Sequence, residues 1–195
     1  MQPESIIAIS PIGNLSIEHI QPVRDEINRL FGYPTEIIPL LDDVEFAYHQ
    51  DRDQYHSTLI LEKLTALSPS RVIKVLGIVH VDLFIPILTH VFGEAQLGGK
   101  SCIISTYRLR EDLSISSNES SLASRILKEA IHELGHTFKL RHCREKACIM
   151  HYCRSIKDVD YKSKHFCRYC GVLVEDEKKR LANFHAQAHK TKHET

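Results

Sequence analysis

The chain of 195 residues has no excess of charge: 25 lysines and arginines are matched by 25 aspartates and glutamates, and the formal net charge is zero. That balance provides no electrostatic footprint for nucleic acid or an anionic membrane. The opening MQPESIIAIS has neither a basic leader nor a long apolar stretch, so a signal peptide is not expected. The longest apolar run, VIKVLGIVHVDLFIPIL, is interrupted by Lys74, His80 and Asp82. A membrane helix requires roughly 20 mainly apolar residues, so none is expected. No internal repeat is evident. Hydrophobic residues at 43% and charged residues at 26% exclude a disordered chain. What remains is one globular domain, or one with a small appendage, long enough to bury a core without staples. A cytoplasmic monomer is expected, a setting in which disulfides are rare.

The 6 cysteines and 13 histidines therefore need another explanation. All the cysteines except Cys102 fall between residues 143 and 170, and such clustering in a cytosolic protein points to metal more often than to disulfides. Cys102 stands in a strand-like run and reads as a small buried hydrophobe.

The first half alternates two kinds of segment. SIIAISPI is a short β-branched run, SIEHIQPVRDEINRLFG has helical periodicity, and TEIIPLL reads as a second strand. DQYHSTLILEKLTAL reads as a second helix, stopped by Ser-Pro-Ser, and RVIKVLGIVHVDLF as a strand buried on both faces. This βαβαβ order implies a mixed α/β fold on a twisted, mainly parallel sheet with crossover helices. LGGKSCIISTYRL is a further strand and LREDLSISSNESS a polar loop. A long helix is expected from about Ser121 to Leu140, with Ser120 or Ser121 as N-cap. After Cys170 the highly charged tail reads as an exposed helix with a frayed end.

In that long helix Leu122, Ile126, Ala130, Leu134 and Phe138 form an apolar stripe, broadened by Ala123, Leu127 and Ile131. At about 100° per residue, His132 and His136 fall on the opposite side. One face is built for the core and the other carries imidazoles. Glu133 completes HExxH, a pattern in which two histidines one turn apart bind zinc and the glutamate acts as general base. His142 extends it to HExxHxxKxxH. On a continued helix His142 would lie roughly 15 Å along the axis from His132 and about 80° around it. The chain must therefore leave the helix near Lys139 and fold back. Glycine is the usual residue for such a turn, because φ > 0 is needed. A non-glycine residue there costs about 1–2 kcal/mol, which is small beside zinc binding.

HExxHxxGxxH followed by a methionine turn marks the metzincin metallopeptidases. The fuller string HExxHxxGxxHC-x4-C-x-M with a distant CxxC resembles the archaemetzincin family within them. The chain carries His132, Glu133, His136, His142, Cys143, Cys148, Met150, Cys167 and Cys170 in that order, with Lys139 as the one departure. Upstream, DLFIPILTHVFGEAQLGGKSCIISTYRL is also similar. The resemblance implies a metzincin-like catalytic domain that hydrolyses peptide bonds. His132, His136 and His142 would hold a catalytic zinc, whose open fourth position such sites require. Glu133 would be the general base and Met150 the Met-turn residue, packing beneath the histidines much as any core methionine would. The LGGKSCIISTYRL strand would be the sheet edge that receives an extended substrate. CIMHY is similar to the M-x-Y of astacins and serralysins, which implies that Tyr152 reaches the zinc or the reacting oxygen.

Cys143, Cys148, Cys167 and Cys170 fit a second, structural zinc with four thiolate ligands, giving two zinc ions per chain. Because Cys143 follows His142, that site would tie the third histidine to a structural knot. Two rivals stand beside this reading. Cys153 repeats the x4 spacing from Cys148 and could replace a neighbour. Cys167-x2-Cys170-x14-His185-x3-His189 resembles a C2H2 finger, which would leave Cys143 and Cys148 without partners. The expected division is 1–142, the sheet and the zinc-binding helix, and 143–195, a small C-terminal subdomain with the Met-turn, the cysteine site and the charged tail. The competing class is a zinc-stabilised binding module with a restrained HExxH site, in which the Lys139 ammonium interferes at the cleft.

Overall fold

The computed structural model describes residues 5–15, 17–113 and 118–191, with side chains throughout except at 17, 19, 118–120 and 184–191. The chain runs β1 (Ile6–Pro11), α1 (Ile17–Phe31), β2 (Thr35–Ile37), β3 (Tyr48–His49), β4 (Gln54–His56), α2 (Ser57–Leu67), β5 (Val72–Val79), β6 (Leu83–Phe84), β7 (Gly93–Ala95) and β8 (Ser101–Ser105). Three helices follow: α3 (Asn118–Thr137), α4 (Ile156–Tyr161) and α5 (Arg168–Thr191).

A five-stranded sheet in the order β2-β1-β5-β8-β7 forms the centre, parallel throughout except for β7, which runs antiparallel to β8 at one edge. Both faces are covered. Ile7, Ile9, Leu76, Ile78, Cys102 and Ile104 point into a core shared with α1 and α3. The alternate residues Ile6, Ala8, Val75, Val79 and Ile103 meet α2 on the other side. Burial on both faces is why these strands read as near-continuous apolar runs. Cys102 is fully buried on the α3 face, and its thiol reaches only a backbone carbonyl, that of Val75.

Several boundaries differ from the sequence expectation. The run 71–84 is not one strand: it breaks at His80, and β6 joins β3 and β4 in a separate three-stranded sheet. The helix expected from Asp53 begins at Ser57, because 54–56 form β4, in which Gln54 pairs with β3 and Tyr55 and His56 with β6. Ser120 and Ser121 lie inside α3 rather than capping it. The LGGKSCIISTYRL segment supplies β8, which is interior, so the edge strand is β7 instead. Its three residues are too short to announce themselves by periodicity. The start of α5 is not an exposed tail either, since Cys170 and Val174 are buried in the α3 core.

The segment 143–174 packs over the side of α3 that faces away from the sheet. Cys148, Ile149, Met150, Ile156 and Val159 belong to the same apolar cluster as Leu122, Ile126, Ala130 and Leu134. Arg125, itself buried, fastens this layer with a bidentate pair to Asp160 at 2.7 Å for each bond. It also donates to the carbonyls of Leu109 and Glu111. This layer buries His132, while His136 stays partly exposed to the cleft described below. Among the described residues, no helix is long and apolar enough to cross a membrane.

Candidate metal centre and active site

The C-terminus of α3 decides where the third histidine goes. Lys139 has φ 63°, in the left-handed region. Its amide donates to His136 O at 2.9 Å, and the Leu140 amide donates to Gly135 O at 3.1 Å. This pair of bonds is a Schellman cap with lysine at the position glycine usually takes. The Lys139 side chain packs on Gly98, where an added Cβ would stand 2.8 Å from Lys139 Cγ. Its ammonium lies 3.5 Å from Glu177 of α5 and does not line the cleft, so the expected interference at the site is not seen. Gly98 in turn donates its amide to His136 O at 2.9 Å. Beside this junction Lys74, a buried lysine of β5, donates to Thr137 O at 2.6 Å and Gly99 O at 2.7 Å. The turn is thus held from the sheet, from the edge loop and from α5.

Past this turn His142 returns to the other two histidines. One ring nitrogen from each of His132, His136 and His142 lies within 4.8 Å of the others. Each of the first two rings spends Nδ1 on a carbonyl: His132 donates to Ile149 O at 2.8 Å and His136 to Leu140 O at 2.7 Å. That fixes the tautomer and leaves both Nε2 atoms as bare acceptors. They nonetheless face each other at 3.2 Å. Two acceptors do not attract, but tetrahedral zinc with arms of about 2.0–2.1 Å sets neighbouring nitrogens about 3.3 Å apart. The donor set fits zinc.

Burial holds the His132 imidazole well below its ordinary pKa, with the Lys162 ammonium reinforcing the effect. Burial likewise lowers His136, and it takes His142 down to about 4 with help from His136. Neutral imidazoles are what ligation requires.

Glu133 is buried beside them, and burial lifts its carboxyl well above the usual range, with Glu129 one turn away adding to the shift. It presses against edge strand β7 at Gly93, where a Cβ would stand 2.6 Å from Glu133 Cγ and 2.6 Å from Ile103 O. Behind them lies a buried ion pair: Lys162 Nζ is 2.7 Å from Glu129 Oε1, an oxygen that no donor meets in good hydrogen-bond geometry. The same ammonium is 3.4 Å from His132 Nδ1. Gly93, Glu129 and Lys162 were not singled out by the sequence, and Lys74 stood there only as a charge interrupting the longest apolar run. The contacts of Gly93 with Glu133, of Lys74 with Thr137 and of Lys162 with Glu129 are made between residues far apart along the chain.

Met150 is fully buried under α3, where a Cβ on Gly135 would meet its sulfur at 2.6 Å. Tyr152 is 43% exposed and lines the cleft, its ring centroid 4.9 Å from that of His142.

The four sulfurs of Cys143, Cys148, Cys167 and Cys170 lie within 4.8 Å of one another, and no disulfide joins them. Cys143 and Cys167 are 3.8 Å apart, which suits a tetrahedral centre with Zn–S arms of about 2.3 Å. Amides of Cys167 and Cys170 donate to the sulfurs of Cys148 and Cys167 at 3.3 and 3.5 Å. Cys153 is not in this cluster. It lines the histidine cleft, and burial pushes its thiol up to about 11. The side chains of His185 and His189 lie outside the described residues, while Cys143 and Cys148 join Cys167 and Cys170 rather than standing alone. The two centres are coupled through the backbone: Cys148 precedes Ile149, whose carbonyl orients His132, and the Cys143 amide donates to Met150 O at 2.8 Å.

Around the histidines opens a cleft of about 660 Å³, bounded by residues 85–97 on the edge-strand side and by Arg141, His142 and 152–154 on the other. The model of peptidase family M54 matches residues 16–176, a span that contains both clusters and the cleft. The chain belongs to peptidase family M54. It is therefore a zinc metallopeptidase by family, of the archaemetzincin kind. The archaemetzincin of Methanocaldococcus jannaschii is 39% identical over 171 residues, covering 87% of this chain and 93% of that one. The crystal structure of the archaemetzincin from Methanopyrus kandleri superposes with a TM-score of 0.77 at 29% identity, covering 92% of this chain and 99% of that one. That from Archaeoglobus fulgidus, complexed with malonate, gives 0.73 at 32% identity, covering 86% and 98%.

Proposed function

We propose that this M54 peptidase hydrolyses peptide bonds with one zinc ion held by His132, His136 and His142, and that a second, structural zinc is held by Cys143, Cys148, Cys167 and Cys170. The observation that carries the reading is the placement of Glu133, buried next to converging imidazoles and against edge strand β7. Zinc, when bound, supplies a Lewis acid that polarises the scissile carbonyl and makes water more acidic.

Glu133 takes a proton from the attacking water onto its carboxylate and later gives it to the leaving amine nitrogen. Edge strand β7 offers its free backbone edge to an extended peptide, aligning the substrate across the histidines. Gly93 lets that strand approach Glu133 closely. Tyr152, which lines the cleft with its ring beside that of His142, would donate a hydrogen bond to the reacting oxygen. The division at 142/143 then separates the part that carries His132, Glu133 and His136 from the part that fixes the Met-turn and the cysteine centre.

The decisive test is Glu133→Ala. Peptide hydrolysis should be abolished while zinc content and the unfolding midpoint stay at wild-type values. Retained hydrolysis would remove Glu133 from the mechanism.

A further inference from the structure

The charged groups of the cleft are unevenly satisfied. Its carboxylates are occupied: Glu129 pairs with Lys162, and Glu133 is assigned to the reaction. Glu94 accepts from the hydroxyls of Ser57 and Thr58 on α2. The guanidiniums of Arg141 and Arg154 are not occupied. Both line the cleft, both are exposed, and among the described residues neither has an acceptor. The nearby Asp158 spends Oδ2 on the amides of Arg154 and Ser155 and on the Ser155 hydroxyl. By contrast, Arg52, which borders the same region, is committed to the carbonyls of Leu88 and Thr89 and to Gln54.

The two free arginines sit on one wall. Arg141 immediately precedes His142, and Arg154 follows Tyr152 by two residues. The segments they flank are joined by the bridge between Cys143 and His151 and by the Cys143 amide on Met150 O. This wall is therefore fixed next to the histidines and faces edge strand β7. The opposite wall is largely apolar and carries the exposed side chains of Leu88 and Leu97. A peptide lying along β7 would set one side against apolar groups and the other against unpaired planar cations, which suit bidentate carboxylate recognition.

We infer that Arg141 and Arg154 form a carboxylate-binding subsite, and that the preferred substrates are peptides bearing an acidic group close to the scissile bond. The inference rests on the peptidase reading above. The carboxylate is either an Asp or Glu side chain or the free C-terminus of a short peptide.

Four fluorescent peptides of one sequence separate these sources: Glu with an amidated C-terminus, Gln with a free C-terminus, Gln amidated and Lys amidated. Their affinities are measured on zinc-loaded Glu133→Gln protein by anisotropy, and their cleavage by the wild type is followed in parallel. One of the two carboxylate peptides should bind about five- to ten-fold more tightly than amidated Gln. The double variant Arg141→Glu, Arg154→Glu, checked for zinc content and unfolding midpoint, should move the preference to the Lys peptide. A structural role for the arginines would not produce such a reversal. Equal affinity for all four peptides, or a carboxylate preference that survives the double variant, overturns the subsite. If the binding preference appears but the wild type cleaves none of the peptides, the subsite stands and the peptidase reading falls.

Discussion

Gly93 and Glu133 are in direct opposition across the edge of the sheet: a methyl group on Gly93 would stand 2.6 Å from Glu133 Cγ. The carbonyl of Ile103 is as close on the other side, so the strand has no room to yield. Gly93→Ala should displace Glu133 or bend β7 and lower kcat/KM by at least about ten-fold. Neither consequence touches the histidines, so elemental analysis should still find zinc at the wild-type level. Unchanged kinetics would show that the edge strand and the base are not coupled.

Lys139→Gly should stabilise the protein slightly. It relieves about 1–2 kcal/mol of left-handed strain, loses about 0.4–1 kcal/mol through the freer unfolded chain, and gives up a half-exposed contact to Glu177 worth little. The expected net gain is up to about 1 kcal/mol by denaturant unfolding. Because the ammonium points to α5, peptide hydrolysis should be unaffected. A rise in activity would indicate that Lys139 restrains the site.

Lys74 should leave a signature in the pH dependence of stability. Burial lowers its pKa to about 8, against the attraction of Glu177, whereas in the unfolded chain a lysine titrates near 10.4. Between these values the unfolded state binds a proton that the folded state does not, so this group makes stability rise as pH increases from about 8 to about 10. The contribution is at most about 3 kcal/mol. Chemical unfolding of wild type and Lys74→Met across that window should show the difference in slope. Parallel curves would refute the assignment.

Cys170→Ser should reduce bound metal from two ions to one and cost more than about 3 kcal/mol of stability. Cys170 is buried in the core that also holds Met150. The neighbouring Ile149 carbonyl orients His132, so the remaining zinc should bind roughly 10–100-fold more weakly. Zinc titration of the apoprotein measures this. An unaltered affinity would separate the two centres.

Much of the site was legible because helix geometry is local. HExxH places two imidazoles one turn apart whatever surrounds them, and the count of residues to His142 demands a reversal near Lys139. The cysteine spacing could be read the same way. The edge strand could not, since β7 has only three residues and its neighbour β8 has the stronger apolar signal. The helical wheel sets the histidine face opposite the apolar stripe, but it gives no sign that His132 is buried while His136 stays partly exposed in the cleft.

The sequence by itself determined the donor types, their order along the chain, the α/β class and the need for a left-handed turn, because each follows from short-range periodicity or from residue chemistry. Only the tertiary structure decided which strand borders the cleft, that Lys139 turns away to Glu177, that Lys74 and Lys162 are buried cations behind the site, and that Arg141 and Arg154 have no acceptor among the described residues. Those facts depend on pairings such as Lys74 with Thr137 and Lys162 with Glu129, which are 63 and 33 residues apart in sequence. No local propensity encodes such pairings. They follow from how two layers close over one helix.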